Sequence, residues 1–202
     1  MKKLNLPNKL TLLRLILVPV FVVVMLVSNE LWASIVGLAL FIIASLTDML
    51  DGKIARKYNL ITDFGKFLDP LADKFMVIGA GLVILYKSLT GGAPKLFCIV
   101  FFVAMLIVIF RELAVTAMRL VVSSSAKVVV AANMLGKIKT CTQIACVIVC
   151  IVEPNLYALL GCEKVAAILP ASLATTILMA FFTLLSGVNY LKSYWKYLDP
   201  EK

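Results

Sequence analysis

Four aspartates, Asp48, Asp51, Asp69 and Asp73, stand in the segment DMLDGKIARKYNLITDFGKFLDPLAD of a chain that is otherwise mostly apolar. Asp48 and Asp51 are three apart and Asp69 and Asp73 four apart, so each pair lies on one face of a helix. A connector of about ten residues makes the two helices antiparallel neighbours, and the four carboxylates can then converge. Left alone, four anions so close repel one another, and one or two bound cations remove that cost. Hard divalent ions such as Mg²⁺ prefer oxygen ligands and are held by a few carboxylates together with substrate phosphates. Gly52 and Gly65 permit close approach beside the carboxylates, and Arg56 can reach a phosphate in the same cleft. The bland alternative is that the aspartates cap helices or pair with Lys53, Lys57, Lys66 and Lys74.

The elements that must position these groups are membrane helices. Of 202 residues, 62% are hydrophobic and 15% charged, and the mean hydropathy is +1.04, which excludes a soluble domain of this size. Six stretches approach the roughly 20 apolar residues of a bilayer span: Leu10–Val27, Leu31–Thr47, Phe67–Tyr86, Leu96–Met118, Ile138–Val152 and Val165–Tyr190. The second continues helically into the aspartates. These runs are continuously apolar, without the alternation of barrel strands. The first is read as a retained helix and not a signal peptide, because no small-residue cleavage site follows Val27 and Arg14 interrupts it. The expectation is an all-α polytopic protein, one domain over 1–202, with six transmembrane helices and both termini on one side.

With that topology, all of the 20 Lys and Arg except Lys87, Lys95 and Lys164 fall on the side of the aspartates. The positive-inside rule puts both termini and the carboxylates in the cytoplasm, at a cell membrane. The net charge of +9 is that bias. Its cations sit in short loops, which speaks against nucleic acid as a partner, while a basic surface attracts anionic headgroups and phosphorylated substrates. Leu89–Pro94 reads as an external turn, Glu153–Lys164 as the last external loop, Val121–Gly136 as a cytoplasmic connector, and LKSYWKYLDPEK as an interfacial anchor. The five cysteines (Cys98, Cys141, Cys146, Cys150 and Cys162) have no metal-ligand spacing and no histidine to help them, so they are packing residues.

The pattern Asp-x2-Asp-Gly-x2-Ala-Arg-x8-Gly-x3-Asp-x3-Asp resembles the signature of the CDP-alcohol phosphatidyltransferases. It falls on Asp48, Asp51, Gly52, Ala55, Arg56, Gly65, Asp69 and Asp73. PNKLTLLR at 7–14, Arg111-Glu112 followed by Arg119, and GKIKTCTQ at 136–143 are similar to the branch that uses glycerol 3-phosphate. The resemblance implies that Asp48, Asp51, Asp69 and Asp73 hold two divalent ions, Mg²⁺ or Mn²⁺. Asp73 resembles the general base, with Asp69 its rival. Asn8, Thr11, Gly52, Ala55, Arg56 and Gly65 fall where the family binds the CDP moiety. The implied reaction is attack by the 1-hydroxyl of glycerol 3-phosphate on CDP-diacylglycerol, with CMP leaving. The family also implies a homodimer.

A dianionic acceptor needs its own anion seat, and Arg111, Arg119, Lys137 and Lys139 are placed to supply it, with Thr140 and Gln143 as neutral donors. Ordinary positive-inside charge accounts for Arg119, Lys137 and Lys139 equally simply. Arg111 follows a long uncharged run, and either faces a polar cavity or pairs with Glu112 or an aspartate. After Arg119 the chain reads LVVSSSAK, without the further charges expected in that branch. Inositol phosphate, serine or phosphatidylglycerol as acceptor would keep the same chemistry. A cation transporter with an acidic membrane site is the reading from another class, and carboxylates clustered at one membrane face count against it.

Overall fold

The computed structural model describes residues 5–58, 60, 62–125 and 134–195, and among these it contains helices and no strand. Of the expected cytoplasmic cations, Lys2, Lys3, Lys127, Lys196 and Lys202 lie outside the described residues, as do parts of the 59–62 and 121–136 connectors and the end of the C-terminal tail. The helices are α1 (Leu6–Val27), α2 (Leu31–Lys57), α3 (Asp63–Thr90), α4 (Lys95–Ser125), α5 (Met134–Leu160), the short α6 (Glu163–Ala166) and α7 (Pro170–Trp195).

Burial is inverted relative to a water-soluble protein. Arg14, Arg111, Glu112, Lys139 and Gln143 are inside, while Val23, Phe102, Phe110, Leu113 and Phe181 face outward. Lipid accepts apolar side chains on the outside, so only polar groups and close packing need the interior. Among the described residues five stretches are long and apolar enough to cross a membrane: Leu6–Val27, Leu31–Ala55, Lys95–Val122, Met134–Leu160 and Lys164–Trp195. The chain is an all-α membrane protein. The remaining long helix, α3, carries Asp69, Asp73, Lys74 and Lys87, which dilute its apolar character.

Two groups of helices build the molecule. α1 packs on α2 and α3, and α7 packs on α4 and α5. The groups meet where α3 touches α4 and where α5 touches α2 and α3. Their shared core includes Phe21, Phe41, Met76, Phe97, Phe101, Met105 and Met179. The seam between α5 and α7 is more polar. Ser172, Thr176, Thr183 and Ser186 recur at helical spacing on the buried face of α7, and the Cys146 thiol lies 3.9 Å from that of Cys150 and 3.6 Å from the Thr176 hydroxyl. Small residues of this kind let helices approach closely in lipid.

Several helix boundaries differ from the sequence reading. α3 runs from Asp63 to Thr90, beyond Phe67–Tyr86 at both ends, and α4 continues past Met118 to Ser125, into the expected connector, where Val122 is buried with Tyr190 and Tyr194. α5 does not stop at Val152 but runs on through Glu153 and Pro154 to Leu160. The reason is that Glu153 is satisfied inside the bundle. Its carboxylate accepts from the backbone N–H groups of Ala171 at 2.9 Å and Ser172 at 2.5 Å, supplying the cap that the first turn of α7 lacks. The last apolar stretch is also broken, with Leu169 at φ 50 immediately before Pro170, where α7 begins. A residue before proline is steered away from the helical region, and proline itself suits a first helical turn.

Candidate active site

The aspartate site begins at the N-terminus of α1. The Asn5 side chain caps this helix by accepting from the Asn8 N–H, and its amide donates to the Leu60 carbonyl at 2.8 Å, tying α1 to the α2–α3 connector. From there Asn8, Thr11 and Arg14 follow one another on the buried face of α1 that continues through Val18, Phe21 and Met25. The spacing of three and four residues keeps polar head and apolar remainder in a single stripe.

Arg14 is wholly buried and collects three of the four aspartates. Its Nη1 lies 2.7 Å from Asp48 Oδ1 and 2.5 Å from Asp73 Oδ1, and its Nη2 pairs with Asp51 Oδ2. The fourth is held one turn earlier, where the Thr11 hydroxyl donates to Asp69 Oδ1 at 2.7 Å, with Asp51 Oδ2 3.4 Å from the same oxygen. The four carboxylates thus converge from α2 and α3 on a polar edge of α1. The side chains grade outward from Asp51, 7% exposed, through Asp48 at 28%, to Asp73 at 50%. Lys53 and Lys57 are exposed and Lys74 turns away to Thr116, so among the described side chains the aspartates pair with none of these three lysines, and the side chain of Lys66 lies outside the described part of the structure.

Gly65, Thr62 and Asn8 form the neighbouring wall. Thr62 caps α3 by accepting from the Gly65 N–H at 3.0 Å, and the Asn8 amide donates to the same hydroxyl at 3.0 Å. A Cβ on Gly65 would stand 2.9 Å from Asn8 Oδ1 and 3.3 Å from Thr62 Oγ1. The Gly65→Ala variant is therefore expected to lose about 1–3 kcal/mol of stability through overpacking against a hydrogen-bonded pair. Thermal unfolding in detergent checks this, and an unchanged midpoint would mean that Asn8 moves aside freely. Gly52 and Ala55 are half-buried on the adjoining turn of α2. The Arg56 backbone is helical there, and its side chain lies outside the described part of the structure.

Among the described residues no three carboxylates, thiols or imidazoles surround a common vacant ion position, because the convergence point of Asp48, Asp51 and Asp73 is held by Arg14. The donor set still fits a hard divalent cation. It offers carboxylate oxygens, and among the described side chains four carboxylates stand against the one guanidinium of Arg14.

A second buried charge cluster lies on α4, α5 and α7. Glu112 accepts from Arg111 Nη1 at 3.1 Å and pairs with Lys139. Arg111 Nη2 donates to Ser186 Oγ at 2.7 Å, and the guanidinium sits 5.4 Å from the centroid of the Tyr190 ring. Gly187 makes room for it, since a Cβ there would come within 3.2 Å of Arg111 Cγ. Below lie Val115, Val122, Tyr190 and Tyr194, a small separate apolar core. Lys74, the residue after Asp73, donates to Thr116 Oγ1 at 2.5 Å, and Thr116 in turn donates to the Glu112 carbonyl at 2.7 Å. That chain of contacts joins the two clusters.

The expected acceptor residues separate in this arrangement. Arg111 and Lys139 come together on Glu112, and Gln143 is buried one turn below Lys139. Thr140 donates to the Gly136 carbonyl at 3.1 Å, while Arg119 and Lys137 are exposed. Sequence reasoning missed four participants: Arg14 as the partner of the aspartates, Thr62 as the partner of Asn8, and Ser186 and Tyr190 as the seat of Arg111. A signal existed for the first, because Arg14 follows Thr11 by three residues on the same helix face.

Comparison with known proteins adds an independent line. The sequence profile of the CDP-alcohol phosphatidyltransferases matches residues 4–190. A protein of Bacillus subtilis named CDP-diacylglycerol–glycerol-3-phosphate 3-phosphatidyltransferase is 42% identical, over 96% of this chain and 97% of its own length. Its namesake in Rickettsia felis is 34% identical over 96% and 97%. A protein of the same name, numbered 2, in Arabidopsis thaliana is 32% identical over 98% of this chain and 82% of its own.

Proposed function

The chain belongs to the CDP-alcohol phosphatidyltransferase family, and on that premise we propose that it transfers the phosphatidyl group of CDP-diacylglycerol to sn-glycerol 3-phosphate, giving phosphatidylglycerol phosphate and CMP. The observation that carries this reading is the pairing of two distinct sites, a carboxylate array on α2 and α3 and a buried cation pair on α4 and α5, joined through Lys74 and Thr116.

In this reading Asp48, Asp51, Asp69 and Asp73 hold divalent cations, Mg²⁺ or Mn²⁺, in a two-ion site. When bound, these ions neutralise the diphosphate and the departing CMP oxygen. Asn8, Thr11, Gly52, Ala55, Arg56 and Gly65 line the CDP seat, where Gly65 has no room for a side chain. Arg111 and Lys139 take the acceptor phosphate, with Thr140 and Gln143 beside them and Arg119 and Lys137 at the exposed approach. The 1-hydroxyl oxygen of glycerol 3-phosphate attacks the β-phosphorus, forming one P–O bond as the bond to CMP breaks. Its proton passes to a carboxylate. Asp73 is the favoured base because its side chain is half-exposed, where a soluble acceptor arrives, and Asp69 is the alternative. Positioning and charge stabilisation then supply most of the rate.

Six spans, with α3 the sixth, put both termini and the aspartates on the cytoplasmic side of a cell membrane, which the distribution of lysine and arginine supports. A homodimer follows from the family resemblance. The direct test is CMP release by the purified protein from CDP-diacylglycerol, offered glycerol 3-phosphate, inositol phosphate, serine and phosphatidylglycerol in turn. Release dependent on Mg²⁺ or Mn²⁺ and on glycerol 3-phosphate is expected. Equal turnover with another alcohol would remove the acceptor assignment and leave the carboxylate chemistry intact.

A further inference from the structure

Arg14 has no part in the transfer scheme, although its guanidinium is wholly buried and touches three of the four aspartates. Its Nη1 is shared between Asp48 and Asp73, and its Nη2 is taken by Asp51, the deepest of the three. A planar fork with two donor nitrogens can draw carboxylates from two helices onto one point, which a lysine point charge does less well. The group therefore stands at the inner side of the array, with the more exposed Asp48 and Asp73 outward of it. A divalent ion must either take carboxylate oxygens from the guanidinium or share them with a positive charge a few ångströms away.

We propose that Arg14 is a built-in counter-ion, a positioning residue that assembles Asp48, Asp51 and Asp73 before any metal arrives and competes with the metal for them. The inference rests on the metal-dependent reading above. Its consequence is ordered loading. Without nucleotide the aspartates are already partnered and hold a divalent ion weakly. The diphosphate of the liponucleotide brings further oxygen ligands and tips the competition, so metal and liponucleotide enter as a linked pair.

Mn²⁺ binding without any nucleotide tests this independently of turnover. Free Mn²⁺ is read by electron paramagnetic resonance, and unfolding by tryptophan fluorescence, for the wild type, Arg14→Gln, Arg14→Lys and Asp51→Asn. Arg14→Gln is expected to unfold at a lower temperature than the wild type in metal-free buffer and to recover as Mn²⁺ is added. Its half-saturating Mn²⁺ concentration should be lower by about tenfold or more, since a positive charge in contact with the ligands has gone. Arg14→Lys should fall between the two, and decides the matter if Arg14→Gln fails to fold. Saturable binding with the same or weaker affinity in the Arg14 variants overturns the competition, and unchanged metal-free unfolding overturns the positioning role. Either result leaves the metal site standing provided that Asp51→Asn loses binding. No saturable Mn²⁺ binding in any of the four proteins removes the metal reading itself, and this inference with it.

Discussion

Replacement of Asp73 by asparagine should lower the rate of CMP release from CDP-diacylglycerol by at least about 100-fold while the protein remains folded, the loss expected when a positioned proton acceptor disappears. Asparagine is nearly isosteric with aspartate and keeps an oxygen to accept from Arg14 Nη1, which now lies 2.5 Å from Asp73 Oδ1. Asp48 and Asp51 still balance the guanidinium. Packing is thus little disturbed, and what is lost is a negative charge and the proposed base at the exposed edge of the array. Asp69→Asn should also be inactive, because Asp69 is a proposed ligand and the partner of Thr11. Circular dichroism and a size-exclusion profile establish folding, and labelled CMP release establishes activity. Turnover within a few-fold of the wild type in both variants would sink the carboxylate mechanism.

The second large effect is expected at Arg111, and it should be selective for one substrate. Arg111→Ala removes a buried guanidinium that donates to Glu112 and Ser186 and packs against Tyr190. A hydrogen bond to a charged group contributes about 1.5–3 kcal/mol, so losing one to the acceptor phosphate should raise KM for glycerol 3-phosphate by about 10–100-fold. KM for the liponucleotide should change by less than about threefold, because the proposed CDP seat is on α1, α2 and α3. Lys139→Ala should behave similarly. Lys137→Ala should have a smaller effect, since Lys137 is exposed whereas Lys139 is buried against Glu112. Equal rises for both substrates would argue that the cluster supports the bundle as a whole and does not seat the acceptor.

The aspartate array was legible in the chain because its spacing is local. Three- and four-residue intervals set helix faces, and apolar length sets the spans, so the end of α1 at Val27 and the start of α2 at Leu31 agree with the sequence reading. The rest depended on partners far away in sequence. Arg14 was read as a cation that interrupts the first apolar run, and only the approach of α2 and α3 reveals that three carboxylates meet there. Glu153 looked like a loop residue because its acceptor role is fixed by backbone N–H groups 18 and 19 positions on. For Arg111 the chain offered a cavity or an ion pair. The structure gives the ion pair, with Arg111 in contact with Glu112 and Lys139 converging on the same carboxylate. Hydropathy, finally, passes over serine and threonine, so the polar seam between α5 and α7 was hidden within an apolar stretch.

The burial of Arg14 also bears on how the chain is built. As α1 leaves the ribosome it carries Arg14 in the N-terminal half of its span, one turn beyond Thr11, and a charge within a lone membrane helix is costly, up to about 2.5–3.5 kcal/mol at the centre. The groups that offset this, Asp48 and Asp51 on α2 and Asp73 on α3, are synthesised later. The first helix made thus waits for the second and third before its charge is partnered. Insertion of the N-terminal three helices is then coupled by charge as well as by hydropathy, and the proposed catalytic array is also a clasp between α1, α2 and α3.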